Sequence, residues 1–108
     1  MQVEAEQEGV ALLAKALGHP ARIGIVRLLQ LRGECHGGEI VDRIGLAQST
    51  VAEHLRILRD AGIIVGKVQR PRTSYALDPL ALLPLTGLLC EVTGVARREG
   101  PAVRTRRG

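Results

Sequence analysis

The first third of the chain carries apolar residues at helical spacing. Apolar positions at intervals of three and four residues, among them Leu13 and Leu17, predict a first helix that Gly18 would end in the left-handed conformation. Pro20 suits the first position of a second helix, whose broad apolar face runs as far as Gly33. The pattern therefore predicts two helices before residue 34.

Two further helices are predicted in the middle of the chain. A short helix begins near Gly37 or Gly38 and ends at Gly45, a residue that readily adopts the positive φ of a tight turn. The next runs from about Gln48 to Ala61 and has an apolar stripe and a polar stripe on opposite sides. The apolar stripe consists of Val51, Leu55 and Leu58, and the polar stripe of Ser49, Glu53 and Arg56.

The remainder predicts a hairpin and a last helix. A run with β-branched residues (63–68) and a second run (73–77) lie on either side of a Pro-containing turn. This arrangement is typical of paired strands. Residues 80–83 are expected to form a separate helical turn before an apolar helix with Pro84 in its first turn. The expected fold is mainly α with a small β-hairpin, a winged helix-turn-helix of about five helices and a two-stranded wing. The stripe of the last helix comprises Leu85, Leu88, Leu89, Val92 and Ala96.

Length and composition favour one folded domain. The chain has 108 residues, of which 45% are hydrophobic and 24% charged, close to the averages of globular domains. Tyr75 is the only aromatic residue, so the core must be built from aliphatic side chains, which suits packed helices. We expect one domain over residues 1–100 and a basic tail over residues 101–108.

The net charge of +4 favours an anionic partner without establishing one. The basic residues cluster near the end of the chain, where they form either a solvated tail or a nucleic-acid arm. The N-terminus resembles no signal peptide and no run of about 18 apolar residues occurs, so we expect a cytoplasmic protein without a membrane partner. In that compartment both cysteines are expected to be reduced. The clustered residues are Arg97, Arg98, Arg104, Arg106 and Arg107.

The order helix, turn, helix and basic hairpin predicts binding to double-stranded DNA, because it lays one helix in a major groove about 12 Å wide. Leu46 in the turn is expected to anchor it in the core. Short polar side chains in the first turn of the helix suit base edges, and the helix N-terminus attracts phosphate. Cations near the hairpin tip suit the DNA backbone or the minor groove. The predicted DNA-binding residues are Gln48, Ser49, Thr50, Glu53, His54, Arg56, Lys67, Arg70 and Arg72.

Three segments resemble the ArsR family of winged-helix transcriptional regulators: LGHPARIGIVRLL, GLAQSTVAEHLRILRDAGII and PRTSYAL. The resemblance covers roughly residues 9–90. It implies a homodimer formed by the first and last helices and a pseudo-palindromic operator. It also implies repression that an inducer relieves. Residues 1–100 would then be the DNA-binding and dimerisation domain. Within the family's recognition-helix pattern, His54 would support the helix or touch a phosphate.

The metal sites of the family have no counterpart in this sequence. Arsenic-sensing members resemble the chain around GECHGGEIV but carry two cysteines there or a pair in the wing, whereas this chain has Cys35 alone and Ser74 and Ala76 in the wing. Zinc and nickel sensors of the family use acidic and His ligands on the last helix, and residues 79–99 contain no His. We therefore predict neither a metal nor a cofactor.

Cys35 and Cys90 are the candidate thiol sensors. Cys35 precedes a helix and adjoins His36, which would lower its pKa and make the thiol reactive; alternatively it fills the core. Cys90 lies with Gly87 and Gly94 on a small-residue face of the last helix. If that face met its symmetry mate, the thiols could form a disulfide, a polysulfide bridge or a soft-metal site and so alter the dimer. The alternative function is thus a redox, persulfide or soft-metal sensor.

Two other classes of function compete with DNA binding. An enzyme would use Cys35 as nucleophile with His36 or His54 as base, but adjacent side chains rarely reach that geometry and no substrate cleft is expected. We therefore predict no catalytic residues. A winged-helix protein-interaction module would not need the polar residues 48–50 or the basic wing.

Overall fold

The computed structural model describes residues 2–95, with side chains from residue 5 onward. The predicted basic tail and the stripe position Ala96 lie outside the described residues. The elements follow the predicted order closely, and the winged helix-turn-helix fold is confirmed. In chain order they are α1 (Gln2–Ala16), α2 (Pro20–Arg32), β1 (Cys35–His36), α3 (Gly37–Ile44), α4 (Gln48–Asp60), β2 (Ile64–Gln69), β3 (Arg72–Leu77), a 3-10 turn (Pro79–Leu82) and α5 (Leu83–Thr93).

His19 governs the connection between α1 and α2. Its backbone is extended, and its Nδ1 accepts a hydrogen bond from the Ala21 N–H at 3.0 Å, which caps α2. The prediction that Gly18 ends α1 in the left-handed conformation is wrong, since Gly18 is not among the glycines with positive φ. The chain leaves α1 through a tight turn in which the Gly18 N–H bonds to the Lys15 carbonyl at 3.0 Å.

The wing belongs to a three-stranded antiparallel sheet in the order β1-β3-β2. The strand β1 was not predicted: Cys35 pairs with Tyr75 and His36 with Ser74 on β3. A two-residue strand carries no alternation that a sequence pattern could reveal. Its effect is to fasten the base of the wing to the chain just before α3.

The core lies between the helices and the base of the wing. Each of the helices α1 to α4 contributes buried side chains, as does the start of β2. Half-buried Tyr75, Leu82 and Leu85 pack against them. This confirms that an aliphatic core suffices for the fold. The buried apolar residues are Leu13, Ala16, Ile25, Leu29, Cys35, Ile40, Val51, Leu55, Leu58, Ile63 and Ile64.

Two apolar sites do not behave as core. Leu46 in the turn before α4 is 39% exposed and is not among the residues packed on the core, so the prediction that it anchors the turn is wrong. Of the four stripe positions on α5 that the structure describes, Leu85 packs on the core, while Leu88, Leu89 and Val92 stay exposed.

Within residues 2–95, no single helix has both the length and the apolar character to cross a membrane. The segments Ala5–Ala16 and Pro20–Arg32 satisfy the criteria only when they are taken together, and they meet at an angle of 89°.

Candidate nucleic-acid interface

A tight turn sets the position of α4. Gly45 ends α3 with φ +79°, and its N–H bonds to the Val41 carbonyl at 3.0 Å. A side chain at this φ would be strained, which explains the glycine. Ala47 precedes α4 without a side-chain cap, and its carbonyl accepts the Val51 N–H at 3.0 Å. The orientation of α4 therefore depends on packing rather than on a capping side chain.

The first turn of α4 is exposed to solvent. The side chains of Gln48, Ser49 and Thr50 all project outward. The first N–H groups of any helix lack intrahelical partners, and they lend this end a partial positive charge. The turn thus combines donors for a phosphate with short polar side chains for base edges.

An ion-pair network covers the middle of the exposed face of α4. Arg56 donates from Nε and Nη2 to both carboxylate oxygens of Glu53 and from Nη1 to Asp60 at 2.8 Å. The hydrogen bond to Arg56 lowers the pKa of Glu53, and the same pairing raises the pKa of Arg56. Both predicted contact residues therefore face outward, but each neutralises the other on the protein surface.

His54 lies on the inner side of α4, with only 7% of its surface exposed. Its Nδ1 is 3.1 Å from Arg22 Nη1, and its ring centroid is 4.4 Å from that of His19. A side chain covered in this way does not reach a phosphate. Of the two roles predicted for His54, this burial favours support of the helix over contact with a phosphate, and the assignment stays a prediction.

The wing carries three of the predicted cations. In the hairpin Gln69 pairs with Arg72, so Arg70 and Pro71 form the tip, and Lys67 lies on β2 below it. All three basic side chains are exposed. Gly66 on β2 lets the Tyr75 ring on β3 approach its backbone closely, because a Cβ at residue 66 would lie 3.3 Å from that ring.

A hydrogen bond from a buried serine secures the base of the wing. Ser74 is 2% exposed, and its hydroxyl donates to Glu34 in the segment between α2 and β1. Together with the β1–β3 pairing, this bond fixes the hairpin relative to α3. The wing and α4 are thus held on one scaffold.

The environment of Cys35 differs from the prediction. Its side chain is 1% exposed within the core, and burial, followed by the nearby Glu39 carboxylate, raises the pKa of the thiol. The expected lowering of this pKa is therefore wrong, because desolvation and the Glu39 carboxylate outweigh the opposing effect of Arg32 and Arg43. The imidazole of His36 has its Nδ1 buried without a hydrogen-bond partner.

Cys90 is half-buried on α5, and both cysteines are free thiols. Gly87 on the same small-residue face is also half-buried, whereas Leu88, Leu89 and Val92 are exposed. The more open surface of α5 is therefore apolar rather than thiol-bearing. Among the described residues, no group of three or more His, Cys, Asp or Glu side chains converges to hold a metal ion.

Comparison with known proteins agrees with this geometry. The family model described as "Bacterial regulatory protein, arsR family" matches residues 19–65, which span α2, α3, α4 and the start of the wing. The HTH-type transcriptional regulator CmtR of Mycobacterium tuberculosis is 32% identical over 103 residues, covering 95% of this chain and 86% of CmtR.

Two Xylella fastidiosa comparisons concern repressors. The biofilm growth-associated repressor is 39% identical over 87 residues, covering 81% of this chain and 75% of the relative. The crystal structure of the transcriptional repressor BigR superposes with a TM-score of 0.64 at 29% identity, covering 89% of this chain and 96% of BigR. These relatives are transcriptional regulators rather than enzymes. The chain belongs to the ArsR family of bacterial helix-turn-helix transcriptional regulators, which bind DNA.

Proposed function

We propose that this regulator is a homodimeric repressor that binds a pseudo-palindromic operator and leaves it when an inducer binds. In each protomer α4 enters the major groove and the wing contacts the backbone or the minor groove. The observation that carries the proposal is the exposed first turn of α4 together with the basic wing, since Gln48 and Arg72 line one groove. The names of the Xylella fastidiosa relatives support repression.

The DNA-facing surface includes eight of the nine predicted contact residues. The first turn of α4 supplies hydrogen-bonding groups for base edges, and the wing supplies point charges for phosphates. Arg56 reaches a phosphate by exchanging its exposed carboxylate partners, which costs little because exposed ion pairs are weak. The eight are Gln48, Ser49, Thr50, Glu53, Arg56, Lys67, Arg70 and Arg72.

The dimer interface is proposed on α1 and α5, which pack against each other within the protomer. Large apolar side chains on this pair stay exposed, namely Leu12 on α1 and Leu83, Leu88, Leu89 and Val92 on α5. Exposed apolar side chains concentrated on one pair of helices favour an interaction site there. A second copy covers it symmetrically, which also sets two α4 helices at the spacing of two half-sites.

Salt dependence tests the proposed contact between the wing and DNA. Replacing Arg72 with Gln is expected to reduce the slope of log K against log salt by about 0.9 for each phosphate that is no longer neutralised, hence by about 1.8 in a dimer. Fluorescence anisotropy on a labelled duplex from upstream of the protein's own gene, or on one obtained by selection, provides the affinities.

Arg27→Gln is the matched control, because Arg27 is an exposed arginine on α2 and its replacement removes the same charge. It is expected to leave the slope close to that of the wild type. Equal slope changes in both variants would contradict a specific contact at the wing. The absence of any salt-sensitive duplex binding by the wild type would overturn the whole proposal.

Thiol sensing through Cys35 and Cys90 is the second candidate, and their difference in exposure defines its test. Because Cys35 is buried with a raised pKa, we expect iodoacetamide to modify Cys90 in the native protein well before Cys35. Mass spectrometry of timed samples measures this, with Cys90→Ser as the variant that leaves Cys35 as the sole thiol. Fast native modification of Cys35 would contradict the expectation.

For a thiol sensor, any loss of DNA binding under oxidant, sulfide, arsenite or cadmium should disappear in the Cys90→Ser variant. A response that persists unchanged in Cys90→Ser and in Cys35→Ser would remove this candidate.

A further inference from the structure

A junction of three helices lies directly behind the DNA-facing side of α4. Arg22 of α2 bridges it: its Nε donates to the Ala16 carbonyl at the end of α1 at 2.7 Å, and its Nη1 lies 3.1 Å from His54 Nδ1 on α4. The His19 ring packs against the His54 ring at 4.4 Å, tilted by 50°. His54 therefore adds a polar contact between α4, α2 and, through Arg22, the end of α1 to the apolar packing of these helices.

The hydrogen bond defines the protonation state of His54. A guanidinium only donates hydrogen bonds, so His54 Nδ1 must accept, and the imidazole is neutral with its proton on Nε2. Protonation at Nδ1 would turn the acceptor into a donor that faces another donor. The junction as observed exists only with neutral His54.

The surrounding charges do not compensate a cationic His54. From α2 it faces Arg22 and the His19 imidazole, and Lys15 of α1 lines the adjoining groove with Arg22. On α4 the nearby carboxylates of Glu53 and Asp60 are already bonded to Arg56. Burial first, and then His19 and Arg22, lower the pKa of His54 below the ordinary 6.5, and the opposing effect of the Glu53 carboxylate is smaller.

We propose that His54 is a positioning residue for DNA binding. Neutral His54 holds α4 in its position against α1 and α2. Protonation of His54 breaks this contact and weakens DNA binding. The proposal rests on the assignment of α4 to the DNA major groove. That assignment is tested separately, by salt dependence near neutral pH, so failure of one can be told from failure of the other.

The sign of the pH dependence distinguishes this role from that of a surface histidine. A histidine exposed near DNA gains a positive charge as the pH falls and strengthens binding to phosphates. Protonation of His54 has the opposite effect on DNA binding. Only the form with neutral His54 is competent to bind DNA, so binding weakens as the pH falls. Below the pKa of His54 the competent fraction falls about tenfold per pH unit in each protomer.

The experiment compares DNA affinity at about pH 7.5 and about pH 5.0 at constant salt, by fluorescence anisotropy. The wild type is expected to bind more weakly at the lower pH, by up to about tenfold in each protomer for every pH unit below the pKa of His54. In His54→Asn the amide oxygen stands near the position of Nδ1 and accepts from Arg22 without titrating. This variant should show a smaller affinity ratio between the two pH values than the wild type does. His36→Asn removes a histidine that takes no part in the Arg22–His54–His19 contacts, so this variant should still bind more weakly at the lower pH.

Circular dichroism at both pH values establishes that each protein remains folded. NMR titration of the three histidine rings in the wild type supplies a measurement that needs no variant. The His54 ring should titrate below pH 6.5 in the free protein, and lower still with DNA bound. The proposal is overturned by equal pH ratios in wild type and His54→Asn, by tighter wild-type binding at low pH that His54→Asn abolishes, or by a His54 pKa that DNA raises.

Discussion

Replacing Leu89 with Glu is expected to convert the protein to a monomer and to weaken operator binding by about 100-fold or more. Leu89 is 52% exposed on α5, so a carboxylate there is tolerated in an isolated protomer. At an apolar interface between two copies the same carboxylate would be buried without a partner. A monomer binds only one half-site and loses the effective concentration that links the two. Size-exclusion chromatography with light scattering and anisotropy measure both effects.

Leu31→Glu is the matched control for this substitution. Leu31 is 83% exposed on α2, outside the α1–α5 surface, so it tests the same chemical change elsewhere. The control should remain dimeric and bind DNA with the affinity of the wild type. If Leu89→Glu also stays dimeric at micromolar concentration, the interface lies elsewhere and the proposal for α1 and α5 is wrong.

Replacing Leu58 with Ala is expected to lower the free energy of unfolding by about 2–5 kcal/mol, the range for a fully buried leucine. Leu58 is fully buried on α4 and holds the inner face of this uncapped helix in the core. The loss combines burial of apolar surface with the cavity left behind. Urea unfolding followed by circular dichroism, at one fixed protein concentration, gives the change.

Leu46→Ala makes the same change in the turn before α4. Since Leu46 is 39% exposed, we expect a loss below about 1 kcal/mol. A loss as large as that of Leu58→Ala would mean that Leu46 anchors the turn after all. A small loss of unfolding free energy in both variants would mean that the residues packed around α4 relax to fill the cavity.

Local patterns predicted the secondary structure well because the deciding interactions are short in sequence. Gly45 ends α3, and Pro84 lies in the first turn of α5, as the spacing predicts. Gly18 shows the limit of such rules: glycine permits the left-handed conformation but does not require it. There the His19 cap on α2 set the backbone instead.

The candidate site was predicted as a set of residue types rather than as an arrangement. The exposed positions Gln48, Ser49 and Thr50 follow from helical periodicity alone. The pairing of Arg56 with Glu53 was also open to prediction, since residues three apart on a helix are neighbours. The role of Arg22 was missed, because it lies 32 residues from His54 and no short-range pattern links the two.

The sequence by itself determined that this chain forms a winged helix-turn-helix with polar side chains on the first turn of α4 and a basic wing. Periodicity, turn residues and charge are local properties, and they persist in any fold that buries the apolar stripe. Only the tertiary structure decided which side of α4 His54 occupies, and that Cys35 carries a raised pKa in the core. Burial and contacts between distant segments set those properties, because desolvation and hydrogen bonding depend on what packs around a side chain.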